Sequence, residues 1–202
     1  ETNLDESGRE VFQRQLYQCM ISQMLWMKGT IESIRGSNAF GSLIWQLNEQ
    51  WPTGGWGLVE YGSQFGEDGQ VLGGRWKPLM DLLRRSHYRD IFATCGKGGA
   101  CYAKNDGINN FVGTVRVEYW ELSGAISVVC EQHVNLDANG GIQYFTVNVE
   151  RAGLNRTVLA LTALDEVGNE VTGQKKHCHV DSAKIPKMPL ERCQCIDRKH
   201  QI

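Results

Sequence analysis

Ala39-Phe40-Gly41-Ser42-Leu43-Ile44-Trp45-Gln46-Leu47 is the stretch on which the fold turns. It is too continuously apolar for a half-exposed strand and suits a buried parallel one, whose two faces are both covered. On its N-terminal side, Ser7 to Arg35 reads as a single amphipathic helix. Phe12, Leu16, Met20, Met24, Met27, Ile31 and Ile34 recur every three or four residues, as a core-facing stripe requires. Ser7 followed three residues later by Glu10 forms a capping box, and Gly36 supplies the stop. On the C-terminal side, Gln50 to Gly74 is rich in Gly and Trp without a sustained period and reads as a long loop leaving the strand. Helical spacing returns in Arg75 to Arg85 through Trp76, Leu79, Met80, Leu82 and Leu83, with Pro78 in the first turn, where a missing N–H costs nothing. Helix, buried strand and helix together make an α/β pattern.

Beyond Tyr88 the texture becomes alternating. In Thr114 to Glu121, Val115, Val117 and Tyr119 point one way while Arg116 and Glu118 point the other, which describes a two-faced strand. Further strands are predicted at Ala125–Cys130, Gly141–Val149 and Thr157–Leu164. Turn material separates them at Asp137-Ala138-Asn139-Gly140-Gly141 and Asp165-Glu166-Val167-Gly168-Asn169. Short strands at regular spacing predict an immunoglobulin-like β-sandwich. The expected organisation is α/β plus all-β: residues 1–90, a sandwich over 91–183, and a charged, Pro-punctuated tail over 184–202.

The formal charge of −2 on 202 residues is near balance and is not gathered into blocks, which argues against a nucleic-acid partner. No apolar run reaches the roughly 18 residues that a membrane span needs. The seven cysteines are an odd number and lack paired zinc-site spacings. His177, Cys178, His179, Cys193 and Cys195 fit no ligand module, so neither metal nor cofactor is expected. Asn155-Arg156-Thr157 is an acceptor for N-linked sugar and favours a lysosomal or secreted location.

The run Gly41-Ser42-Leu43-Ile44-Trp45-Gln46-Leu47-Asn48-Glu49-Gln50-Trp51-Pro52 resembles the last barrel strand and exit loop of β-mannosidases and related family 2 glycoside hydrolases. The likeness extends to Gln23, Ile31-Glu32-Ser33-Ile34-Arg35, Trp56, Glu60-Tyr61-Gly62 and Gly74-Arg75-Trp76-Lys77-Pro78-Leu79, and covers residues 1–90. It implies the last strand and helices of an incomplete (β/α)8 barrel, a fold that takes about 250 residues when closed. It also implies that the two catalytic glutamates lie on strands preceding Glu1, so that this segment needs an upstream part of its own polypeptide. Glu10, Glu32, Glu49 and Glu60 belong to no nucleophile motif of the family, and no catalytic residue is assigned. Trp45 matches the Trp whose ring forms the floor of the sugar subsite, joined to Gln46 by a cis peptide bond. A rigid indole suits the C–H face of a pyranose.

Asn48, Glu49, Trp51 and Trp56 share the exit loop, and with Trp45 they are the expected contacts to a β-linked glycoside. Glu49 departs from the Asp usual in the family, and the Ser63 to Gly73 stretch is longer than usual; both bear on the choice of sugar. Three functions follow: part of a retaining exo-β-mannosidase, a noncatalytic sugar-binding or interaction module, or a relative acting on β-glucosamine, β-galactose or β-glucuronic acid.

Overall fold

The computed structural model describes residues 8–51, 55–62, 64–65, 71–72, 74–96, 98–121, 123–148, 157–171 and 176–179. The chain divides into two compact units, Glu1–His87 and Tyr88–Ile202. Ser7 of the expected capping box, Asn155 and Arg156 of the glycosylation signal, Cys193, Cys195 and the 184–202 tail lie outside the described residues.

The first unit opens with α1, Arg9–Gly36. Its N-cap is Gly8, with φ 111° and no side-chain cap. The stop comes two residues beyond Gly36. Asn38 takes the left-handed conformation (φ 54°), its N–H bonds the Arg35 carbonyl at 3.1 Å, and the Ala39 N–H bonds the Ile34 carbonyl at 3.2 Å. These are the paired bonds of a Schellman motif, with Asn in the place that Gly usually fills.

The apolar stripe holds over the second half of the helix, where Met24, Met27 and Ile31 meet Leu58, Leu79 and Leu83. Phe12 and Leu16 are exposed, because no described element covers the first turns. Two short strands, β1 (Gln64–Phe65) and β2 (Val71–Leu72), pair antiparallel within the predicted loop. The second helix is shorter than predicted: α2 spans Pro78–Leu82, with Pro at its first turn, and passes into a π-helical turn at Leu83–His87.

The Ala39–Leu47 stretch departs from expectation. It forms no strand ladder; the pairing nearest to it is a bridge from Asn48 to Val59. Ser42, Ile44 and Gln46 are half-buried, with Ile44 on the small core of this unit, whereas Phe40, Leu43, Trp45 and Leu47 are exposed. An apolar run becomes a doubly buried strand only when elements cover both faces. Here α1 and α2 supply a single side among the described residues.

The second unit is an antiparallel two-sheet sandwich. One sheet has the order β3-β4-β7, built from Ile91–Cys95, Ala100–Asn105 and Gly141–Thr146. The other has the order β6-β5-β8-β9, from Ile126–Leu136, Phe111–Glu121, Thr157–Asp165 and Lys176–His179. Alternate residues of both sheets meet in one core: Ala93, Cys95, Cys101, Ala103 and Phe145 from the first, and Val115, Val117, Cys130, Val134, Leu136, Leu159, Leu161 and Ala163 from the second. The period of two read from Val115 and Val117 is that of this buried face.

A bulge at Val117/Glu118 shifts the β5–β6 register, and Glu118, predicted outward, is buried with Trp120 Nε1 donating to it at 3.0 Å. Both predicted turns are present. Asn139 (φ 60°) and Gly140 (φ 110°) carry the first, and the Asp165 carboxylate accepts from the Val167 and Asn169 N–H groups in the second.

Strands β3 and β4 were not predicted. Cys95 and Cys101 face each other across β3 and β4 and form a disulfide. No group of three potential metal ligands occurs among the described residues.

Candidate sugar-binding segment

Three short segments form the candidate site. The Glu49 N–H bonds the Val59 carbonyl at 2.9 Å, and the Leu58 and Val59 N–H groups bond the Leu47 carbonyl at 2.9 Å each. Val59 then pairs with Trp76, and the Lys77 N–H bonds the Leu58 carbonyl at 2.9 Å. Residues 46–49, 57–60 and 75–77 are thus laced into one layer, held on the core by Ile44, Leu58 and Val59. Along the offset of the Asn48–Val59 bridge, Trp45 corresponds in sequence to Trp56.

Close approach sets the sequence locally. A Cβ at Gly57 would lie 2.6 Å from the Glu49 nitrogen and 2.7 Å from the Asn48 carbonyl carbon, which no side chain allows.

The Trp45–Gln46 peptide bond is cis. Trp45 is 75% exposed, Trp51 59% and Trp56 65%, so all three indoles present most of their surface to solvent. Asn48 is also exposed, with its side-chain amide donating to the Glu49 carbonyl at 3.1 Å. Trp56 is tethered through its backbone, where its carbonyl accepts from Gln23 Nε2 at 2.9 Å.

Glu49, expected beside these as a sugar contact, is placed differently. Its side chain is 7% exposed; the carboxylate pairs with Lys77 Nζ and accepts from the Gly55 N–H at 3.1 Å. Lys77 Nζ also donates to the Gly55 carbonyl at 2.8 Å. The carboxylate is thus turned toward Lys77 and Gly55 and withdrawn from the solvent face where a sugar hydroxyl would approach. Lys77 received no role from sequence, since nothing in the 28 residues separating it from Glu49 signals the pairing. The nearest signal was the pair of glycines, Gly55 and Gly57, flanking an aromatic residue.

Glu60 lies at the edge of this layer and makes a two-pronged bond to Arg75: Nε to Oε2 at 2.7 Å and Nη2 to Oε1 at 2.6 Å. That hydrogen-bonded partner holds the Glu60 carboxyl below its ordinary value. Deeper in the unit, Glu32 accepts from Lys28 Nζ at 2.8 Å and lies 3.2 Å from His87 Nε2, while His87 Nδ1 lies 2.7 Å from Ser86 Oγ. Burial raises the Glu32 pKa; the His87 hydrogen bond and the Lys28 charge outweigh it and leave the carboxyl lowered. This cluster ties α1 to the π-helical turn and opens on no described cavity.

No family model matches the sequence, and no curated protein matches it. Solved structures share its fold, two of which are as follows. A β-D-mannosidase from Dictyoglomus thermophilum superposes with a TM-score of 0.65 and 20% identity, covering 91% of this chain and 22% of its own. An exo-chitosanase from Amycolatopsis orientalis gives a TM-score of 0.63 and 15% identity, covering 83% of this chain and 20% of its own. The chain therefore spans about a fifth of the length of these two proteins, and its fold is the one they share over that part.

Proposed function

We propose that this chain is the C-terminal part of a retaining exo-β-glycosidase, most closely a β-mannosidase that removes terminal β-linked mannose. Residues 1–90 are the end of the catalytic barrel, 91–183 an immunoglobulin-like sandwich, and 184–202 a tail. The catalytic pair of carboxyls, which in retaining enzymes stand about 5–5.5 Å apart, belongs to the preceding part of the polypeptide.

The observation that carries this reading is the Trp45 indole, 75% exposed on a backbone tied at Gln46 and Leu47 to Leu58. A large apolar ring fixed at its base and bare on its face is what stacking on a pyranose requires, and it loses little side-chain entropy on binding. Trp51, Trp56 and Asn48 are the neighbouring contacts, with Glu49 behind them. The shared fold with a β-mannosidase supports the same choice.

The likeness to an exo-chitosanase favours β-linked glucosamine as the second reading. The Cys95–Cys101 disulfide suits an oxidising compartment, and hence a secreted or lysosomal protein. The test is turnover of a panel of chromogenic β-glycosides by the full-length polypeptide. Preference for the β-mannoside is expected; preference for the glucosaminide selects the second reading, and inertness toward every glycoside overturns both.

A further inference from the structure

We propose that Lys77, acting through Glu49, is a positioning residue that fixes the loop carrying Trp51 and Trp56 and thereby helps select the sugar. The sugar-selecting half rests on the glycosidase reading above; the positioning half does not.

Ion pairs usually sit at the surface, where they contribute little. Here both partners are withdrawn from water: the Lys77 side chain is 13% exposed and that of Glu49 7%. They also act on one target. Gly55 donates its N–H to Glu49 Oε1 at 3.1 Å, and its carbonyl accepts from Lys77 Nζ at 2.8 Å. Both backbone groups of a single residue are thus held by the two members of one ion pair, which ties Gly55 to Glu49 and Lys77.

The anchor is itself rigid. The Lys77 N–H is bonded to the Leu58 carbonyl, and Pro78 follows at the start of α2. On the far side of Gly55, Gly57 lies too close to the backbone of residues 48 and 49 for any side chain, and the Trp56 carbonyl is held by Gln23. Gly55, held by the buried pair, lies in sequence between the exposed Trp51 and Trp56. Glu49 and Lys77 are both withdrawn from water, so their effect on a ligand is indirect. A lysine is the fitting partner, because its ammonium reaches a carboxylate and a carbonyl together.

The test uses the full-length polypeptide labelled with 5-fluorotryptophan, the Trp51 and Trp56 resonances being assigned by Trp51→Phe and Trp56→Phe. Lys77→Met and Glu49→Gln are each expected to shift and broaden both resonances. Kinetically, each is expected to raise KM for the preferred aryl β-glycoside about tenfold and to narrow the discrimination between glycosides, with a smaller change in kcat. The double variant is expected to be no worse than either single one. Lys77→Arg, which keeps the charge, is expected to recover part of the selectivity.

Unmoved fluorine resonances overturn the positioning role. A lower melting temperature with unchanged KM and unchanged glycoside ratios reduces the pair to a structural one and also overturns the proposal. Wild-type protein inert on every β-glycoside removes the glycosidase reading and the sugar-selecting half with it, while the fluorine spectra still decide whether Lys77 positions the loop.

Discussion

Replacing Glu32 by Gln should destabilise the first unit by an amount that depends on pH in a definite direction. The Glu32 carboxylate is 14% exposed, receives Lys28 Nζ at 2.8 Å and faces His87 Nε2 at 3.2 Å. Breaking a buried pair from one side costs about 3–5 kcal/mol, because the remaining charge is left without compensation. Gln keeps an oxygen for His87, and Lys28 retains a 14% route to water, so a loss of about 2–3 kcal/mol at pH 7 is expected.

The folded chain holds Glu32 below its ordinary value of 4.5, so at acidic pH the unfolded chain binds the extra proton. The contribution of Glu32 is therefore complete above that value and disappears as pH falls through the folded value. Five of the six tryptophans lie before residue 88, so urea unfolding followed by tryptophan emission reports chiefly on this unit. The gap between wild type and Glu32→Gln should be full at pH 7 and should close toward pH 3. A gap of the same size across that range would refute the electrostatic origin of the effect.

Other expectations are simpler to check. Leu161→Ala removes a fully buried side chain from the core of the sandwich and should cost about 2–5 kcal/mol by chemical denaturation. Replacing both Cys95 and Cys101 by Ala opens a short covalent loop and should lower stability by about 2 kcal/mol, with no further response to reductant. Asn38→Gly should be neutral to slightly stabilising by thermal melting, since φ is 54° there, whereas Asn38→Val should destabilise α1.

The sequence was most legible where one physical rule governed each residue. Val115, Val117, Leu159 and Leu161 alternate because one face of each strand meets the opposite sheet. Met24, Met27 and Ile31 recur at helical spacing because one side of α1 covers Leu58 and Leu79. Strands β3 and β4 escaped notice because Thr94, Lys104 and Asn105 are buried polar residues that break the alternation. The Gly-rich Gly96 to Gly99 between two cysteines was the hairpin signal available there.

Asn38 ended the helix in place of Gly36 because a single left-handed residue suffices and Asn tolerates that conformation. In Ala39–Leu47 the composition told that the segment is apolar, but it did not tell which neighbours cover it. Trp45 and its cis bond came from likeness to a family, and the burial of Glu49 against Lys77 came from neither, because a contact across 28 residues leaves no local pattern.

Trp45→Ala in the full-length polypeptide is the most direct measurement. A pyranose lying on the exposed face covers about 80–100 Å² of apolar surface, worth about 2 kcal/mol at about 25 cal/mol per Å². The expected result is a roughly thirtyfold fall in kcat/KM on the preferred β-glycoside. Unchanged kcat/KM in a stably folded Trp45→Ala protein would contradict the placement of a sugar on this indole.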